Sequence, residues 1–167
     1  MNPFRWSFRA QCLLGFAACA GLLGYAMYVQ FVMRILPCPF CIFQRLAFAA
    51  TGVFFLLGAL HGPRGAGGRK VYGVLAFLAA AVGIGIAGKH TWVQLFPPDM
   101  PSCGPGWDYL VETNTWLGVT RKVLAAKGDC SNIDWQFLGL SMPMWCFVWF
   151  VLLGVLALVA GFRRRTR

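Results

Sequence analysis

Pro37-Cys38-Pro39-Phe40-Cys41-Ile42-Phe43-Gln44-Arg45 stands where one apolar run ends and the next begins, and the rest of the chain is arranged about it. Two cysteines separated by two residues can close a small disulfide ring, and their thiolates can be tuned for exchange. Pro39 suits the first turn of a helix, where its missing N–H costs nothing. That predicts Cys38 at the helix N-cap, where the positive end of the helix dipole favours a thiolate. Cys41 then lies one turn in, and Arg45, four residues on, projects from the same face as Cys41. A cation just inside an apolar helix is expensive, about 2.5–3.5 kcal/mol at a membrane centre and less near an interface. Beside a redox thiol it points to function. The plainer reading of the same residues is a structural disulfide with an arginine that snorkels to the headgroups.

Outward from this stretch, the chain is 59% hydrophobic and only 12% charged over 167 residues. That is the composition of a small polytopic membrane protein rather than a soluble domain. A formal charge of +10 invites a nucleic-acid reading, but the arginines sit at the ends of apolar runs. They are topology signals, not a phosphate-binding face. Of seven cysteines, Cys38, Cys41, Cys103 and Cys130 lie outside the apolar runs, and Cys12, Cys19 and Cys146 lie within them. Four cysteines on the polar side make two pairs, which suits an oxidising compartment. The three within the runs read as inert, buried thiols.

The apolar runs predict spans at about 10–32, 42–60, 71–88 and 143–162, each near the ~20 residues a bilayer needs. Phe16-Ala17-Ala18-Cys19 faintly resembles a lipoprotein processing site, but the apolar run continues well past Cys19. Gly83 and Ala87, like Ala17 and Gly21, are small residues four apart, as close helix packing in lipid favours. The 61–70 turn is rich in glycine and basic residues, and His61 reads as a loop histidine. Two outer loops follow from these spans, at about 33–41 and 89–142. The second is polar and carries Pro97, Pro98 and Pro101, with a turn at Gly104-Pro105-Gly106. In it, Trp107, Leu110 and Val111 would share one face of a short helix lying on the membrane, as would Trp116, Leu117 and Val123. The expected fold is therefore an all-α four-helix transmembrane bundle, one domain over 1–167, with a long outer loop bearing a short interfacial helix.

Charge sets the orientation. Residues 1–9, the 61–70 turn and the tail hold nine of the fifteen basic residues and none of the acids. These three segments alternate correctly across four spans, so both termini are expected in the cytoplasm. All five acids lie in the 89–142 loop, which shares the outer side with Cys38 and Cys41.

Two cysteine pairs on one face can form an exchange relay. A bridge between Cys103 and Cys130 would brace a mobile loop, by roughly 3–4 kcal/mol on the chain-entropy model. Alternatively Cys103, in the extended stretch beside Pro101, is presented to a partner's thiol. Electrons taken from a partner must then leave. There is no second C-x-x-C, no C-x-x-C-H and only two histidines, so no metal or haem site is expected. No glycine-rich phosphate loop follows a strand, which argues against a bound nucleotide. A lipid-soluble acceptor remains. Cys41, with Arg45 one turn below, is well placed for a quinone, whose developing negative charge a cation would stabilise.

Local strings extend the pattern: His90-Thr91 with Gln94-Leu95, Gly128-Asp129-Cys130, Trp135, Phe137-Leu138-Gly139-Leu140, and Met142-Pro143 with Trp145. With the C-x-x-C and its arginine four residues on, nearly the whole chain resembles the disulfide bond formation protein B (DsbB) family of bacterial inner-membrane thiol oxidoreductases. The resemblance implies reoxidation of a periplasmic DsbA-like dithiol oxidase, with electrons passed to ubiquinone or menaquinone in the membrane pool. It implies a mixed disulfide at Cys103 and Cys130 as its partner, resolving onto Cys38. Cys41 would engage the quinone, and Arg45 and His90 would line its site. Gln44 stands where some members of that family have an acid, which leaves the charge balance around Arg45 open. A vitamin K epoxide reductase-like enzyme is the nearest rival, but there the loop cysteines precede the C-x-x-C. A dedicated paralogue is a second rival, and a non-catalytic scaffold braced by disulfides is a third.

Overall fold

The computed structural model describes residues 7–96, 107–125 and 136–163. In chain order, α1 spans Phe8–Phe31, α2 Pro39–His61 and α3 Ala66–Leu95. Two short helices follow, α4 (Trp107–Thr113) and α5 (Trp116–Ala125). A two-residue strand, β1 (Gln136–Phe137), pairs antiparallel with β2 (Leu140–Ser141), and α6 spans Met142–Phe162. Helices α1, α2, α3 and α6 are long and apolar enough to cross a membrane. They pack as a ring, α1 on α2, α2 on α3, α3 on α6, and α6 back on α1. The protein is an all-α four-helix membrane bundle.

The ends of the helices follow local chemistry. Ser7 caps α1 by accepting the Ala10 N–H at 3.3 Å. Gly62 ends α2 in the left-handed region at φ 53°, which costs glycine nothing. Helix α3 is longer than the apolar run at 71–88. At its start the glycines of the turn wind into the first helical turn. At its end the polar residues after Gly88 keep the helical ladder until Phe96, whose neighbour Pro97 disfavours the helical region. A hydropathy boundary marks where side chains leave an apolar run, not where backbone hydrogen bonding stops. His61 likewise belongs to the last turn of α2, and its Nδ1 meets the Tyr72 hydroxyl at 2.8 Å.

Between helices the interior is filled by Cys12 and Cys19 of α1, Phe48 and Phe55 of α2, Ala76 and Ala80 of α3, and Phe150 and Leu153 of α6. The Phe150 ring stacks on Phe48 at 3.9 Å and lies where a Cβ on Gly83 would stand. At Gly73 a Cβ would come within 2.8 Å of the Ala157 carbonyl, so α3 and α6 approach backbone to backbone. Gly83 and Ala87 thus serve helix contact as their spacing suggests. Ala17 and Gly21 do not: both are exposed, and α1 packs instead through Gly15 and Cys19.

The hairpin before α6 has no counterpart in the sequence-based expectation. Its two loop residues, Leu138 and Gly139, have φ 52° and 78°, the positive pair that matches the twist of a tight hairpin. The Trp145 indole N–H donates to the Phe137 carbonyl at 3.0 Å, and the Ser141 hydroxyl meets Gln94 Oε1 at 2.6 Å. These bonds tie the hairpin to α6 and to the end of α3.

Candidate active site

Cys38 is the N-cap of α2 and Pro39 its first residue. The Cys38 sulfur accepts the Cys41 N–H at 3.3 Å and lies 2.9 Å from the Cys41 sulfur. Both residues are half-buried thiols rather than halves of a disulfide. An N-cap sulfur facing the N–H groups of the first turn is held in the field that favours a thiolate. The pair is poised to interconvert between dithiol and disulfide without moving the helix.

His90 reaches this pair because α3 continues past its apolar run. Its ring is 2% exposed and stacks on Phe40, centroids 5.3 Å apart. Nε2 lies 3.8 Å from the Cys38 sulfur, and Nδ1 lies 3.1 Å from Nε2 of Gln44. With the Gln44 amide donating, Nδ1 is the acceptor and Nε2 carries the proton toward Cys38. Gln44 is itself 3% exposed. A buried amide therefore sets which face of the imidazole the cysteine meets.

Arg45 turns into the α1–α2 seam. Its guanidinium donates to Gln30 Oε1 and, at 3.1 Å, to the Ala26 carbonyl. These bonds answer the cost of a cation among apolar helices and fix where it points. Cys146 of α6 is half-buried and packs against the apolar interior of the bundle.

The remaining wall comes from α5. Val119 and Val123, 1% and 3% exposed, close over Phe40, with Cys38, Phe43 and Ile86 packed alongside. Val123 therefore faces protein, not the surface it was expected to share with Trp116 and Leu117, which are exposed. At about 100° per residue Leu117 sits about 200° around the helix from Val119, so one face cannot hold both.

Cys38, Cys41, Arg45 and His90 are gathered at one end of the bundle. Cys103 and Cys130 lie outside the described residues. Two further residues belong to the site: Gln30, which the sequence analysis does not single out, and the histidine-bonded Gln44, which it notes only for the charge it lacks. A glutamine inside an apolar span is costly unless it bonds across helices, and that cost was the available signal for Gln30. Nothing in the spacing signals that Gln44 meets a histidine 46 residues away.

The family model for Disulfide bond formation protein DsbB matches residues 8–160. The chain is 68% identical over 166 residues to Disulfide bond formation protein B of Xanthomonas axonopodis pv. citri (strain 306), covering 99% of this chain and 96% of that one. It is 52% identical over 168 residues to the protein of the same name from Xylella fastidiosa (strain 9a5c), covering 100% of this chain and 97% of that one. A matched family over nearly every described residue, and a dithiol at a helix N-terminus inside a four-helix membrane bundle, lead to one conclusion: the chain belongs to the DsbB family and is a disulfide-forming oxidoreductase.

Proposed function

We propose that this protein reoxidises a periplasmic DsbA-like dithiol oxidase through its two cysteine pairs and passes the electrons to a quinone of the inner-membrane pool. Both termini then face the cytoplasm, and the cysteine-bearing loops face the periplasm. One observation carries the reading: the Cys38–Cys41 pair shares its end of the bundle with a buried imidazole and a helix-anchored guanidinium.

The residues fit a quinone. Its two carbonyls accept hydrogen bonds, and the surroundings are donors. A guanidinium has five N–H donors, and the bonds to Gln30 and Ala26 engage two. Thr91, next to His90, has a buried hydroxyl with no hydrogen-bond partner among the described residues. Arg45 and His90 would hold the ring, with Cys41 the thiol facing it. When bound, a quinone supplies an acceptor for two electrons and two protons.

The chain's own residues do the rest. A thiolate of the reduced partner attacks the Cys103–Cys130 disulfide at Cys103, releasing Cys130. The partner's second thiol then resolves the mixed disulfide, leaving Cys103 and Cys130 reduced. Cys130 next attacks the Cys38–Cys41 disulfide at Cys38, freeing the Cys41 thiolate. Cys103 resolves that bridge, and the two electrons come to rest on Cys38 and Cys41. The α2 N-terminus stabilises the sulfur anion there, and Nε2–H of His90 can donate to Cys38.

The thermodynamics call for such a sink. A DsbA-type disulfide lies near −120 mV and an ordinary thioredoxin-like one near −270 mV, an uphill step of about 150 mV or roughly 7 kcal/mol for two electrons. The test mixes purified protein, reduced partner and quinone. One quinone should be reduced per partner disulfide formed. Given oxidised partner instead, Cys130→Ser should accumulate a mixed disulfide, formed when the Cys103 thiolate attacks the partner's disulfide, and Cys103→Ser should abolish it. Partner oxidation without matching quinone loss would refute the acceptor.

A further inference from the structure

We propose that the reduced Cys38–Cys41 pair and His90 form a site for a borderline-soft divalent cation of the zinc type, and that this site vanishes when the pair is oxidised. Two thiol sulfurs and an imidazole nitrogen converge with all three donor atoms within 4.8 Å of one another. Zn–S bonds of about 2.3 Å and Zn–N bonds of about 2.0–2.1 Å in a tetrahedron put neighbouring donors roughly 3.5–3.8 Å apart. The Cys38 sulfur and His90 Nε2 are already 3.8 Å apart. The sulfurs, at 2.9 Å, must open by less than ~1 Å, and the Cys41 sulfur must close on the imidazole by about 1 Å from a separation of at most 4.8 Å. Both cysteines lie on the first turn of one helix, so side-chain rotation supplies this without backbone movement.

The surroundings complete the site. A ligating imidazole usually gives its other N–H to a fixed acceptor, which sets its tautomer and raises its basicity. Gln44 occupies that position, buried and in contact with Nδ1. A half-turn of its amide presents Oε1 to Nδ1–H and turns the Nε2 lone pair of His90 toward the sulfurs. Two sulfurs and a nitrogen select zinc-like cations over oxygen-seeking magnesium or calcium. Binding exchanges two thiol protons for one dication, so the dithiolate is neutralised and two protons leave to solvent. A fourth position stays open to water, as in three-ligand zinc sites.

The consequence is redox-selective. The disulfide has no thiolate to give, so the cation binds only the electron-loaded form and holds it there. Zinc-type cations would therefore arrest turnover between receipt and release of electrons. This rests on the dithiol and His90 alone and holds whatever the electron acceptor is.

The experiment uses the full chain with Cys12, Cys19 and Cys146 changed to Ala and Cys103 and Cys130 to Ser, leaving only Cys38 and Cys41. Zn²⁺ is titrated against a chromophoric chelator, and Cd²⁺ reports thiolate-to-metal charge transfer. Expected is one equivalent per reduced chain and none after oxidation of the pair. His90→Ala should weaken binding by more than about tenfold, and Gln44→Ala by about tenfold, the lower end of the outer-shell range. Gln44→Glu should tighten it, since a carboxylate behind the imidazole raises its basicity. That variant keeps the test open should a truncated side chain fail to fold. Retention of the cation after oxidation, or equal affinity across the His90 and Gln44 variants, overturns the proposal.

Discussion

Gln30→Leu tests whether Arg45 works where the structure puts it. The substitution keeps side-chain volume and removes the acceptor that holds one arm of the guanidinium. A hydrogen bond to a charged group is worth about 1.5–3 kcal/mol in soluble proteins. Polar pairs between membrane helices average only about 0.6 kcal/mol, with a maximum near 1.7. Arg45 is half-buried and keeps the Ala26 carbonyl, so the membrane range governs and about 1 kcal/mol of positioning is lost. At 1.36 kcal/mol per factor of ten, this is about a fivefold fall in kcat/KM for quinone. Formation of the mixed disulfide at Cys103 should be unchanged, because that step does not use the arginine. The assay is steady-state kinetics with quinone and thiol partner varied in turn, repeated in an Arg45→Ala background. In that background Gln30→Leu should have no further effect, since its partner is already gone. An equal loss with and without Arg45, or impaired adduct formation with normal quinone kinetics, would refute the reasoning.

Arg45→Lys should recover only part of the quinone-dependent rate lost in Arg45→Ala, because a compact ammonium lacks the planar fork whose two nitrogens reach Gln30 and Ala26 separately; full recovery would show that charge alone suffices. Gly83→Ala should destabilise the bundle by about 1–3 kcal/mol, the cost of overpacking against the fully buried Phe150 ring, read from thermal unfolding in detergent. A reporter that works only in the cytoplasm should be active when fused after Arg167; activity of a periplasm-dependent reporter there would invert the orientation. Replacing Cys12 and Cys19 with Ala should leave turnover intact, as both are sealed among Gly52, Phe55 and their neighbours away from the C-x-x-C; complete loss would give them an unforeseen role.

The fold is legible in the sequence because its determinants are local. Four apolar runs, Pro39 behind Cys38 and Gly62 after His61 are signals carried within a few residues. What the sequence hides is tertiary. His90 sits on a polar turn, and only the continuation of α3 to Leu95 carries it to Cys38, 52 residues away in sequence. Motif spacing counts neighbours in sequence, whereas Cys38, Cys41 and His90 meet from two helices. Val123 belongs to the interior rather than to a membrane-facing stripe because of what it packs against. Phe40 settles that, and nothing around Val123 in the sequence names it.

The closure of α5 over Phe40 also sets a leash. Val123 is anchored at the first cysteine pair, and Cys130 follows it by seven residues of chain. Fully extended, that length spans at most about 25 Å. On the proposed relay, a tether this short confers on Cys130 an effective concentration at Cys38 on the order of millimolar. An encounter between the two pairs is then not a collision to be awaited but a local search within a small sphere. Lengthening the chain between Ala125 and Cys130 should dilute that sphere and slow the proposed internal exchange, a rate the anchoring valines would set while taking no part in the chemistry.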